Sequence, residues 1–227
     1  RSNLYTAGWS KNGRTGCKEQ DIQQLKKLTN PQIENKEFKF ITATKMSAAA
    51  ITNEGELFTW GSNTKGQLGH GHFNDVNEPT LVKFFEEEWE VIEISMQVEF
   101  SIVLARNKKT GKNEVFVMGD NVGGKLGVSL SGVKTEKKDT FSKPIMNTFF
   151  NDKEPIKIFS GPRGTIIMCK VKPFELIRDY HNEKCHKCNL NIIGNLIYNL
   201  ENNFMFCQKC SDQDNLDNNV LVVKAPM

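Results

Sequence analysis

No stretch of 18 or more consecutive apolar residues occurs in this 227-residue chain, so the sequence supplies no membrane-spanning helix. An excess of one charge is also missing. Thirty Lys and Arg against 27 Asp and Glu leave a net +3, too little to point to nucleic acid or an anionic membrane surface. The chain opens on Arg1-Ser2-Asn3 and a strand-like run, without an initiator Met or a leader peptide. That predicts a piece of a longer chain, in an intracellular, cytoplasmic setting. Catalytic constellations are absent as well. Asp120 and Asp139 have no partner that would make a carboxylate pair, and no Ser-His-Asp or Cys-His arrangement stands out. His70 and His72 would share one face of a strand, but no Cys or carboxylate in a matching frame completes a metal set, so surface loop histidines are expected. The remaining composition, 38% apolar and 25% charged, suits a globular protein of one or two domains.

What is present is a repeat. A short apolar run, Leu57 to Trp60, enters three glycines spaced five and three apart, Gly61, Gly66 and Gly69. The same spacing follows LYTA as Gly8, Gly13 and Gly16, and VFVM as Gly119, Gly124 and Gly127. The steps from Gly8 to Gly61 and on to Gly119, 53 and 58 residues, lie a little above the roughly 40 to 50 of propeller-type repeats. Upstream of each triplet, ITATKMSAAAITNEGELFTWG reads as one strand, a turn at Asn53-Glu54-Gly55, and a second strand. IEISMQVEFSIVLARNKKTGKNEVFVMG repeats that hairpin with a longer turn, and IKIFSGPRGTIIMCK begins it again. No further triplet follows Cys169, so the array stops inside its fourth hairpin. The triplets do not make a phosphate-binding loop. Gln67 stands where a P-loop needs Lys, and no helical periodicity follows, so the glycines are read as structural positions needing positive φ or close strand approach.

Residues 55 to 69, GELFTWGSNTKGQLG, resemble the regulator of chromosome condensation repeat and its G-E-L-Y-x-W-G-x-N-x-x-G-Q-L-G pattern. GDNVGGKLG at 119 to 127 is a good second copy, and GWSKNGRTG at 8 to 16 a looser third. The resemblance spans about residues 4 to 169 and implies an all-β fold, a partial β-propeller of four-stranded blades. Complete members have seven blades, and about three are expected here. Three blades do not close a ring, and open blade edges expose unpaired strand groups. The rest of the ring is therefore expected from other sequence of the same product or from a neighbouring protein subunit.

Between the repeats, Lys18 to Lys36 is polar, with Ile22, Leu25 and Leu28 at helical spacing, and is read as a short helix or a solvated loop with a few anchors. Glu86 to Glu90 sets four acidic residues around Trp89, read as a charged loop tip or an acidic partner-binding knob. Lys125 to Pro144 reads as a mobile polar connection, and Cys169 as a buried, inert thiol.

The second informative stretch is HNEKCHKCNLNIIGNLIYNLENNFMFCQKCSDQD, residues 181 to 214. Cys185-x2-Cys188-x18-Cys207-x2-Cys210 is zinc-ligand spacing: four thiolates complete a tetrahedron with no open position, hence one structural Zn2+. Two disulfides or free thiols are the alternatives, and His181 or His186 are candidates to replace a Cys ligand. The apolar residues here, among them Ile192, Ile193, Leu196 and Phe206, are too few for a free-standing core, so metal binding is expected to supply much of the folding energy. H-x3-C-x2-C and F-x-F-C-x2-C-S-D resemble a ZZ-type zinc finger lacking its middle CxxC and closing histidines, which implies one zinc in a treble-clef-like fold and argues against RING activity. The domain reading is 1–173 propeller repeats, 174–214 zinc finger and 215–227 tail, in which Val220 to Val223 are a candidate edge strand or part of a loose tail.

These features point to a non-enzymatic protein–protein interaction or scaffold module within a larger assembly. The resemblance carries two alternatives: the substrate-recognition part of a HERC-like E3 ubiquitin ligase, or a guanine-nucleotide exchange factor for a small GTPase.

Overall fold

In the computed structural model the described residues are 2–18, 21–128, 139–170, 196–199, 204–207 and 220–223. The chain divides into two compact units, Arg1–Lys170 and Val171–Met227.

The first unit is built from twelve strands in four antiparallel sheets. Strands β1 (Tyr5–Gly8) and β2 (Ile22–Lys27) form a two-stranded sheet. Strands β3 (Phe38–Ala43), β4 (Ser47–Thr52), β5 (Leu57–Gly61) and β6 (Val76–Leu81) form the first complete blade. Strands β7 (Trp89–Met96), β8 (Phe100–Asn107), β9 (Asn113–Asp120) and β10 (Thr140–Met146) form the second. Strands β11 (Glu154–Gly161) and β12 (Gly164–Lys170) make a further two-stranded sheet. The triplet glycines place β1 with β5 and β9, the third strand of a blade, while β11 matches β3 and β7, the first. The expected three blades are thus two whole blades flanked by an outer half and an inner half.

The strands follow from local chemistry. Central strands β4, β5, β8 and β9 are apolar with little or no alternation and are buried almost throughout, because neighbouring sheets cover both of their faces. The outermost strands β6 and β10 carry Pro79 and Pro144, residues confined to sheet edges because they cannot donate to a ladder. Three apolar layers lie between successive sheets. Leu28, Ala48, Ala50, Phe58 and Trp60 sit between the outer half and the first blade. Ala49, Ile51, Val91, Ile94, Val103 and Phe116 join the two blades. Ile102, Leu104, Val115 and Ile158 join the second blade to the inner half.

Four sequence expectations change here. Ile41 to Thr52 is two strands, not one. The chain reverses at Thr44–Met46, where the Thr44 hydroxyl accepts from the amides of Met46 and Ser47 at 3.2 and 3.1 Å and Thr44 N donates to Ser47 O at 2.7 Å. Lys18 to Lys36 is neither helix nor simple loop, because β2 runs through it and pairs Tyr5 with Lys27 and Gly8 with Ile22. Ile22 and Leu28 are buried and Leu25 is exposed. Trp89 belongs to the core, edge-to-face on Phe116 with centroids 4.7 Å apart, while Glu86, Glu87 and Glu88 remain at the surface. The 125–144 connection ends in strand β10 from Thr140 onward, and residues 129–138 lie outside the described residues.

In the second unit, β13 (Leu196–Asn199) pairs antiparallel with β14 (Phe204–Cys207) and with β15 (Val220–Val223), in the order β14-β13-β15. The 220–223 segment is therefore a strand, and its partner is β13.

Candidate functional site: the glycine turns and the open blade edges

Each triplet encodes a compact turn after the third strand of a blade. All nine triplet glycines have positive φ. Gly61 and Gly119 show why a side chain is excluded. A Cβ on Gly61 would lie 2.6 Å from Ser47 Cα, and one on Gly119 would lie 2.6 Å from Phe100 Cα. In both blades the next residue closes the contact: Ser62 N donates to Met46 O and Asp120 N to Glu99 O, each at 2.9 Å.

Two residues after the first glycine, Asn63 is buried and organises the turn. Its Oδ1 accepts from Leu68 N at 3.0 Å and its Nδ2 donates to His72 O at 2.8 Å. Asn121 repeats the arrangement, accepting from Leu126 N at 3.0 Å. In the outer half the position is Ser10, whose hydroxyl bonds that of Thr15 at 2.7 Å.

The turns also fasten one blade to the next. Ser101 Oγ, on the second blade, donates to Gln67 O of the first at 2.9 Å, and Thr165 Oγ1, on the inner half, donates to Lys125 O at 2.6 Å. Gln67 and Lys125 occupy the same motif position, and Ser101 and Thr165 the same strand position. Arg14, their counterpart in the outer half, reaches Lys45 O at 3.0 Å. The sequence pattern highlighted the glycines but not these latches, which become visible only when the repeats are aligned position by position.

The ionisable residues near the turns are structural. Asp120 is 3% exposed, and its carboxylate meets Lys125 at 2.5 Å and Lys65 at 3.4 Å. Burial by itself would raise its pKa, but the two ammonium groups outweigh that and hold the carboxyl below its ordinary range. Lys125, also bound to Glu99 at 3.1 Å, is correspondingly raised. His70 is not a free surface histidine. It is half-buried, stacks on His72 at 5.8 Å, and bonds the Thr59 hydroxyl at 2.9 Å. Thr59 Oγ1 donates to Leu68 O at 2.9 Å, so it accepts from the Nε2–H of neutral His70. Burial, with a contribution from His72, lowers the His70 pKa to about 4. Cys169 is half-buried, and desolvation pushes its thiol up.

Of the four expected zinc ligands, Cys185, Cys188 and Cys210 lie outside the described residues, and Cys207 ends strand β14. His181 and His186 also lie outside them. Among the described residues no group of three or more His, Cys, Asp or Glu side chains is arranged to hold a metal, and no helix is long and apolar enough to cross a membrane.

Exposed apolar side chains stand beside the two half-blades. A cavity of about 480 Å³ opens between β1 and the first blade, walled by Leu4, Thr6, Ile41, Ala48 and Trp60. Ile41 is 65% exposed there. On the far side of the unit, Ile166 and Met168 of β12 are 70% and 59% exposed.

Residues 54–104 match the Regulator of chromosome condensation (RCC1) repeat family. The chain is 30% identical over 132 residues to Ultraviolet-B receptor UVR8 of Arabidopsis thaliana, covering 56% of this chain and 28% of the relative. It is 35% identical over 124 residues to E3 ubiquitin-protein ligase HERC2 of Mus musculus, 54% of this chain and 2% of that one. Among solved structures it is similar to Prp20p from Saccharomyces cerevisiae, with a TM-score of 0.59 at 16% identity over 77% of this chain and 41% of Prp20p. The chain therefore spans less than a third of the length of these curated relatives. The glycine turns, the four-stranded sheets and the likeness to Prp20p agree: residues 54–104 match an RCC1 repeat, and the sheets of the first unit have the fold of β-propeller blades.

Proposed function

We propose that this chain is a non-enzymatic interaction module of a larger assembly, in which propeller blades present binding surfaces and a small zinc-bound segment braces the C-terminal unit. The observation that carries the reading is the pair of open half-blades, whose unpaired strand edges stand beside the exposed side chains of Ile41, Ile166 and Met168. Edges of this kind are covered in folded proteins, because unpaired strand groups template association. The buried acid and base groups of the turns are engaged in holding the turns together.

The zinc proposal rests on the donor set. Two CxxC pairs, Cys185 with Cys188 and Cys207 with Cys210, supply four soft thiolates and leave no open position, which suits a structural zinc. Strand β13 lies between the two pairs in sequence, and β14 ends on Cys207.

The test is chemical cross-linking of the tagged full-length chain in its native extract, with zinc measured on the same sample. Cross-links from β1–β2 and β11–β12 to stoichiometric protein partners, with about one zinc per chain that is lost in Cys207→Ser, are expected. A chain without partner cross-links at either half-blade would overturn the interaction reading, and a zinc-free chain the metal assignment. The likeness to HERC2 favours substrate recognition in a ubiquitin ligase as a second reading. It requires a ligase catalytic domain in the same complex.

A further inference from the structure

We propose that Asn12 is a spontaneous deamidation site, held in check by the joint between the outer half and the first blade, and that its conversion to a carboxylate opens that joint irreversibly. The inference is independent of what the blades bind.

The chemistry begins with residue type. Asn12-Gly13 is the one Asn-Gly pair in the chain. Asn is thermolabile, and Gly13 has no Cβ to hinder the approach of its own amide nitrogen. That nitrogen loses its proton to water and attacks Asn12 Cγ. The new N–C bond forms, the Cγ–Nδ2 bond breaks, and ammonia leaves behind a five-membered imide. One water then opens the ring. Cutting the bond from nitrogen to Cγ gives aspartate, and cutting the bond from nitrogen to the main-chain carbonyl carbon gives isoaspartate. The aligned turns hold Lys65 and Gly123 at this position, neither of which has a side-chain amide to lose.

The folded turn restrains both reacting groups. Asn12 sits in the left-handed region, φ 64° and ψ 22°, a conformation that Asn tolerates. The Gly13 amide is engaged, donating to Ser10 O at 3.0 Å, and Gly16 N holds the Gly13 carbonyl at 2.9 Å. The side-chain amide is engaged across the joint. Asn12 Nδ2 donates to Asp75 Oδ2 at 2.6 Å, while Oδ1 of the same carboxylate accepts from Asn63 N at 2.8 Å. Asp75 is thereby tied to the residue that organises the turn of the first blade. Closing the imide ring requires rotation about the Asn12 Cα–C bond, which breaks the Gly13–Ser10 bond, and withdrawal of the side chain from Asp75. Deamidation is therefore gated by local opening of this turn.

The products cannot restore the closed joint. An ionised carboxylate only accepts hydrogen bonds, so either product sets two negative acceptors against each other where a donor met an acceptor at 2.6 Å. Isoaspartate also lengthens the main chain by a methylene directly before Gly13. The turn has no room for it. A Cβ on Gly13 would already lie 2.5 Å from Asn77 Cα and 2.7 Å from Val76 O, at the start of β6. Other ties across the joint, Asn30 Nδ2 to Pro79 O at 3.3 Å and Leu81 N to Gln32 Oε1 at 3.1 Å, lie toward the far end of β6 and do not hold the turn.

The test uses the whole 227-residue chain and a synthetic peptide of residues Ser10 to Thr15, incubated together in warm neutral buffer. Peptide mass spectrometry reads the change from amide to acid at Asn12, and an isoaspartyl methyltransferase reads isoaspartate. The folded chain should deamidate at least about tenfold more slowly than the peptide, and Asp75→Ala should raise the rate in the chain at least about threefold. Asn12→Asp, which reproduces the direct product, should raise amide hydrogen exchange in β1 and β2 at least about tenfold while leaving β7 to β10 unchanged. Adding Asp75→Asn to that variant returns a donor to the other side of the joint, and exchange should fall back to the parental rate. A chain that deamidates as fast as the peptide, an Asp75→Ala chain no faster than the parent, or parental exchange in Asn12→Asp would overturn the inference. So would a double variant as open as Asn12→Asp alone, because the fault would then lie in the turn and not in the opposed carboxylates.

Discussion

Protonating His70 should weaken the first unit in a pH window set by its burial. In the folded chain its pKa lies near 4, against an ordinary 6.5. Below pH 6.5 the unfolded chain takes up a proton that the folded chain refuses until about pH 4. Stability therefore rises with pH across that window and its full value is reached above pH 6.5. Lowering the pKa from 6.5 to about 4 comes, through the linkage of proton uptake to unfolding, to roughly 3 kcal/mol between pH 7 and pH 4. The loss is mechanical as well as electrostatic, since an imidazolium cannot stay dry against Leu68 and Thr59 or parallel to His72. The assay is urea denaturation at half-unit steps from pH 4 to 7, for the parent and for His70→Gln. Carboxylates such as Asp120 also lose stabilisation on acidification, but they do so in both proteins, and the difference between the two curves isolates His70. That difference should change by about 3 kcal/mol across the window, steepest near pH 5. A difference flat with pH would refute the assignment of a buried, neutral imidazole.

How much of this was legible depended on whether a feature leaves a mark on residue type. The second-to-third-strand hairpin of the first blade is visible because Gly55 sits in its turn at positive φ. The first-to-second-strand turn is invisible. Thr44–Met46 contains no Gly or Pro and is held by a hydroxyl accepting two amides, a solution open to many sequences. Strand β2 was hidden for a different reason. Every β2 residue after Ile22 is exposed, so Gln23, Gln24, Lys26 and Lys27 mask the two anchors, Ile22 and Leu28, that the core uses. Trp89 was obscured by its acidic neighbours, because the turn and the first core residue are adjacent in sequence and opposite in environment. The count of repeats was readable, yet its division into halves required the shorter hairpin turns to be seen. Of the open edges, the sequence indicated that they exist. Which residues they expose depended on the register.

The turns support three further expectations, all measurable by equilibrium unfolding of the full chain. Gly119→Ala should cost more than Gly8→Ala in a monomeric preparation. Both suffer the positive φ, of order 1–3 kcal/mol, but only the first drives a methyl into the Phe100 backbone. Asp120→Asn should cost about 3 kcal/mol by leaving the Lys125 ammonium, 9% exposed, with only the exposed Glu99 as counter-charge. The double change Asp120→Leu with Lys125→Met should recover part of that, and failure to recover any would show that the turn needs the pair for its shape. The latches separate what a blade joint needs from what it tolerates. The acceptor is a backbone carbonyl, at Gln67 or Lys125, so the side chain at that position is free to differ from blade to blade. The donor hydroxyl is not. Ser101→Ala deletes it at a fully buried site and strands the Gln67 carbonyl, which should cost about 1–3 kcal/mol, whereas Ser101→Thr keeps the donor. If alanine and threonine behave alike, the joint is held by the apolar layer around Val103 and Phe116, and the hydroxyl is incidental.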